Sequence, residues 1–155
     1  MNLSDHLTLT EMTRSQTALR KGLDNTPPPD AMRRMEILAR EVFEPVRALL
    51  GVPLQVNSGY RSAVLNRAVG GSKTSAHMTG DAVDIVPLGM EKLAAFDMIR
   101  RSPILFDQLI EECGPDGWIH IAQARAGAMP RRAVLRATGT PGHWRYTLVT
   151  EPETD

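Results

Sequence analysis

The stretch Ser75-Ala-His77-Met-Thr-Gly80-Asp-Ala-Val-Asp84-Ile85 brings an imidazole and a carboxylate close in sequence. The two side chains are seven residues apart and cannot share one short helical turn. They can meet if His77 lies on a loop, Asp84 projects from the strand behind it, and Gly80 permits the reversal between them. An acid inside an apolar strand is costly unless something pairs it, and a divalent metal would satisfy it as directly as an arginine. A second histidine in an apolar strand context is His120, within Trp118-Ile-His120-Ile121. Two histidines and one carboxylate leave a coordination position open, the arrangement expected of a hydrolytic zinc site. Such a metal acidifies water and polarises a carbonyl. The plainer alternatives are a hydrogen-bonded core histidine, a strand-edge aspartate, or a metal-free His77–Asp84 pair.

The elements that must hold these residues can be read from periodicity and punctuation. Thr8 and Glu11 have capping-box spacing, which predicts a helix over residues 8–21 with Gly22 as its stop. Asn25-Thr-Pro-Pro-Pro-Asp30 is a rigid connector, and Asp30 is expected to cap the next helix. There Met35, Leu38, Val42, Val46 and Leu49 form one apolar face, with a kink expected near Pro45 and an end at Gly51. Alternation predicts strands at 54–58 and 82–86, and a helix over 61–69 closed by Gly70-Gly71. Leu93, Phe96 and Ile99 mark an amphipathic helix over 91–101. Residues 107–112 and 118–123 read as two strands joined by the turn-forming Cys113-Gly-Pro-Asp-Gly117. A last strand is expected at 143–150, before an acidic terminus. The order predicts a single small α+β domain, helices packed on a short antiparallel sheet.

Composition bounds the chemistry. The chain has 155 residues and 17.1 kDa, enough for one domain with its own core. Eighteen basic residues balance eighteen acidic ones, so charge gives no reason to expect nucleic acid or an anionic membrane as partner. The one cysteine, Cys113, excludes an internal disulfide and a multi-thiolate zinc site. Any metal must therefore rest on carboxylates and the four histidines. No segment approaches the roughly 20 apolar residues of a membrane span. The first residues lack the basic region and apolar core of a secretory signal, so synthesis in the cytoplasm is expected.

Taken together, Ser58-Gly-Tyr60-Arg61, Asn66, Gly70-Gly-Ser72, the Ser75–Ile85 stretch, Phe106-Asp-Gln-Leu-Ile-Glu-Glu112 and Trp118-Ile-His120 resemble the M15 family. That family comprises zinc D-Ala-D-Ala carboxypeptidases and phage endolysin peptidases, and the resemblance covers roughly residues 8–123. It implies a hedgehog/DD-peptidase-like fold with one Zn2+ per chain on His77, Asp84 and His120. It also implies Arg61 as the residue that orients substrate, a role suited to a planar guanidinium facing a carboxylate or carbonyl. The peptidase domain would occupy residues 1–125, with residues 126–155 an Arg-rich extension packed on it. Ser75 and Gly80 fit the loop presenting His77, and Tyr60 and Trp118 either line the pocket or pack in the core.

The general base departs from the family pattern. Better-studied relatives carry an acid three positions before the last histidine, where this chain has Gly117. Asp116 is one residue too early and would face away unless the loop bulges. Glu112, where shorter relatives carry an acid, comes beside Trp118 if the two strands pair antiparallel. Glu112 is the preferred base and Asp116 the alternative, with Glu111 expected on the opposite face. His6 and His143 match no motif and read as exposed or hydrogen-bonded. Cys113 reads as a small buried hydrophobe. Arg131, Arg132, Arg136 and Arg145 read as a solvated face, or as an attraction for anionic wall polymer or nucleic acid.

The functional expectation is a zinc peptidase acting on the peptidoglycan stem peptide in the cell wall, as carboxypeptidase or endopeptidase. It needs neither nucleic acid nor membrane insertion. The competing reading, favoured by Gly117, is a non-catalytic zinc-containing wall-binding or phage structural module.

Overall fold

The computed structural model describes residues 1–140 and 142–149. Thr8 opens the first helix as its spacing predicts. Its hydroxyl accepts from the Glu11 amide, and the Glu11 carboxylate accepts from the Thr8 amide. Instead of one helix over 8–21 there are two, α1 (Leu9–Thr13) and α2 (Gln16–Lys21), because Arg14 is extended and Ser15 caps the second. Two short strands precede them, β1 (Asn2–Ser4) and β2 (Leu7–Thr8), which no alternation announced. Glu44 ties this start to the helical layer by accepting from the Ser4 hydroxyl and the His6 amide. His6 is thus a hydrogen-bonded histidine, its ring 2.8 Å from the same carboxylate.

Helix α3 (Pro29–Leu38) starts at Pro29, with Pro28 in the cap position. Asp30 lies inside the first turn and is not the cap, because a proline already has the fixed φ of a first helical residue. The helix then passes through a π-helical turn (Ala39–Phe43) into α4 (Glu44–Leu50). Pro45 has no amide for the carbonyl four residues back, and its ring would collide there. The wider turn, closed by the Glu44 amide on the Ala39 carbonyl, accommodates it. The extra residue rotates α4 about its axis, so Leu50 is 8% exposed and faces the core while Leu49 is 36% exposed. The expected apolar face ends one residue out of phase for this reason.

The rest of the chain builds the sheet. Its strands are β3 (Leu54–Ser58), β4 (Ala82–Pro87), β5 (Gln108–Glu112), β6 (Trp118–Ala122), β7 (Ala133–Thr140) and β8 (His143–Leu148). Between them lie α5 (Ala63–Ala68), capped by Ser62, and α6 (Lys92–Arg100). The strand order is β3-β4-β6-β5-β7-β8. The α+β class is as expected. The sheet is mixed rather than wholly antiparallel, because the segment after β6 crosses over and returns β7 parallel to β5. Strand β7 was not expected, since it buries only Ala137 fully and so lacks a clear inward alternation. The residues from 150 onward, including the acidic terminus, lie outside those described.

One sheet face carries Val83, Ile85, Leu109, Ile119 and Ile121 against Met35, Leu38, Val42 and Val46 and against Phe96 and Ile99 of α6. Leu93 is exposed, contrary to its place in the expected face. Three arginines of the Arg-rich segment are bonded to the domain, and Arg145 is exposed on β8. Arg131 donates to Asp107, and Arg136 donates to Glu111. Arg132 donates to the carbonyls of Arg100, Ser102 and Ile104 and lies 4.4 Å over the Phe106 ring. These bonds anchor the crossover to the domain.

Candidate metal centre

The opposite sheet face carries the polar residues, and strand register decides which ones meet. One cross-strand row runs Ser58, Asp84, His120, Ile110, Leu135 and Leu148. The next row runs Trp118, Glu112, Ala137 and Tyr146. Asp84 and His120 are therefore direct antiparallel partners, and the His120 Nδ1 stands 2.9 Å from Asp84 Oδ1. His77 reaches the pair from a 3-10 turn (Ala76–Thr79) capped by Ser75, whose hydroxyl accepts from the His77 amide. Gly80 then turns the chain into β4 with φ +77°, and a Cβ there would lie 2.6 Å from the Ala31 carbonyl oxygen. The loop, reversal and strand inferred for His77 and Asp84 are all present.

The candidate ligand atoms of His77, Asp84 and His120 all lie within 4.8 Å of one another, and all three residues are buried. The His77 Nδ1 lies 2.7 Å from the Gly59 carbonyl oxygen, which can only accept, so Nδ1 carries the proton. Burial holds the ring below its ordinary pKa against the attraction of Asp84, favouring the neutral form. Its Nε2 then turns a lone pair toward the Asp84 carboxylate at 3.3 Å. A cation held by both residues would resolve that confrontation. Burial pushes the Asp84 carboxyl up, yet His77 and His120 together hold it well below the usual carboxylate range. A neutral imidazole, an ionised carboxylate and a carbonyl behind the ring that fixes its tautomer are what a divalent metal requires.

Glu112 stands on the same face, one row from His120. It accepts from the Trp118 indole N–H at 3.0 Å. Burial raises its pKa, reinforced by the charge of Asp84 and opposed by His120, Trp118 and Arg61. Glu111 points to the other face, where Arg136 donates to it and Lys92 lies 3.5 Å away. Asp116 is exposed in the turn and does not line the cleft. A Cβ at Gly117 would lie 1.8 Å from the Glu112 carbonyl oxygen, so this hairpin has no room for an acid there. Cys113 is only half buried, contrary to expectation, because the turn takes it through φ +63° at the surface.

A cleft of about 980 Å³ opens over the cluster, and Arg61, Glu112, Tyr60 and Trp118 all line it. The Arg61 amide donates to the His77 carbonyl, holding the arginine beside the cluster. Burial lowers the Arg61 pKa while Asp84 and Glu112 oppose it. Its Nε is buried with no hydrogen-bond partner among the described residues. Tyr60 also belongs to the core cluster, so both of its expected roles apply. Sequence reasoning missed Gly59 as the carbonyl that orients His77, and Trp144 and Tyr146 as part of the cleft wall. The only trace of the latter was two aromatics spaced as on one strand face.

No curated protein matches the sequence. A family model described as Peptidase M15 matches residues 5–122.

Proposed function

Because this chain belongs to the Peptidase M15 family, a family of metal-dependent peptidases, we propose that it is a zinc peptidase that hydrolyses a peptide bond of bacterial peptidoglycan. The observation that carries the reading is the buried His77–Asp84–His120 cluster, sharing one cleft with Glu112 and Arg61. Its two imidazoles and one carboxylate suit zinc and leave a position open to substrate. Zinc, when bound, supplies a Lewis acid that polarises the scissile carbonyl and makes water more acidic.

The chain's own groups do the rest. Arg61, which lines the cleft, binds a carboxylate or carbonyl oxygen of the stem peptide through its guanidinium edge. Glu112, with its raised pKa, accepts a proton from the attacking water as the water oxygen bonds to the carbonyl carbon. It returns that proton to the nitrogen as the C–N bond breaks, so the products are a carboxylic acid and an amine. Trp118 keeps the carboxylate aimed by its indole hydrogen bond.

On this reading the site of action is the wall and the substrate is the stem peptide, without nucleic acid or membrane insertion. Gly117 favoured a non-catalytic module, but it loses that weight beside Glu112, an acid available on the neighbouring strand. The test is metal analysis together with mass spectrometry of digested peptidoglycan. One zinc per chain and new amine and carboxyl ends are expected, identifying the bond as a carboxypeptidase or endopeptidase target. His77→Ala, Asp84→Ala and His120→Ala should lose both metal and activity while staying folded. An active, metal-free protein would overturn the reading.

A further inference from the structure

The cleft has a wall that lies outside the matched family region. The match ends at residue 122, and β8 begins at His143. Register puts Trp144, Tyr146 and Leu148 of β8 on the face that carries Asp84, His120 and Glu112, with His143, Arg145 and Thr147 on the other. Every residue of β8 is exposed, so no core packing requires these aromatics. Trp144 is 36% and Tyr146 is 53% exposed, and both line the cleft with Arg61 and Glu112.

We propose that Tyr146 and Trp144 are substrate-positioning residues: the Tyr146 hydroxyl donates to a backbone carbonyl of the bound peptide beside Glu112, and Trp144 packs on its apolar side. This rests on the peptidase reading above. Tyr146 and Glu112 flank Ala137 in one row, about 10 Å apart across two strand spacings. Ala137 is the smallest side chain that could separate them, so a tyrosine can lean across it toward Glu112. Burial first, then Glu112, Cys113 and Asp84, shift the phenol pKa upward, so the hydroxyl remains a donor. An extended peptide held by Arg61 at one side of the cleft meets the aromatics at the other. Exposed aromatic faces beside one donor suit a chain of alternating methyl groups and amides.

The test uses a synthetic stem peptide without sugar, and the same peptide carrying its amino sugar. Tyr146→Phe should raise KM for the sugar-free peptide about five- to tenfold, the worth of one hydrogen bond, and leave kcat within about twofold. Trp144→Ala should raise KM similarly, and Trp144→Phe should restore most of it. Calorimetry on Glu112→Gln should show the same weakening of binding on adding Tyr146→Phe. Thermal midpoints should not move, since β8 is not in the core. Unchanged KM in both variants, or a change confined to the sugar-bearing peptide, overturns the proposal and leaves the peptidase reading intact. A wild-type protein that neither binds nor cleaves either peptide overturns the peptidoglycan reading, and this proposal with it.

Discussion

Gly117 bears on which acid is available to serve as the base. The hairpin folds so tightly that any side chain at 117 would strike the Glu112 carbonyl. An acid cannot stand there, and the nearest acid on the cluster's face is Glu112 on the paired strand. If Glu112 is the base proposed above, Glu112→Gln should lower turnover by about 10²- to 10⁴-fold, the usual worth of a general base, with the metal content unchanged. Asp116→Asn should stay near wild-type rates, because that side chain points to solvent. Steady-state assays beside metal analysis separate the two, and full activity in Glu112→Gln would move the role elsewhere. Gly117→Ala should cost about 2–3 kcal/mol in urea unfolding, because the added methyl must displace backbone. A neutral effect would mean that the turn relaxes easily.

At the scale of elements, the helical layer and the crossover decide how well local pattern survives. The capping box, the Gly22 and Gly51 stops, and the strands flanking the cluster were legible because each depends on residues within a few positions. The Leu49 face failed because a π-helical turn before Pro45 added a residue, and a periodicity argument assumes constant pitch. Strand β7 failed because its pairing with β5 rests on long-range bonds such as Arg131 to Asp107. That ion pair carries a pH signature. Hydrogen bonding from Arg131 is the chief cause holding the Asp107 carboxyl below its ordinary pKa. A depressed folded-state value stabilises above the unfolded pKa of about 4 and loses that contribution as pH falls through the lower value. Asp107→Asn should then be less stable than wild type at neutral pH and converge with it at strongly acidic pH. Denaturation midpoints across pH report this, and a constant gap between the two would argue against it.

For the whole molecule, the proposed metal site would also act as a fastener. His77, Asp84 and His120 come from a 3-10 turn and two strands, so an ion held by all three links them. Chelation should lower the thermal midpoint by about 5 °C or more through loss of linked binding energy. Asp84→Ala should be indifferent to chelator, and an equal response in that variant would place the ion elsewhere. The sequence by itself pointed to the candidate donor set. Apolar strand contexts made Asp84 and His120 costly to leave unpaired, one cysteine excluded thiolate sites, and the order of motifs carried the family. Only the tertiary structure decided which atoms face one another. Side-chain facing depends on strand register and on close approaches such as Glu112 to Gly117 and Gly59 to His77, which join residues that no local spacing relates.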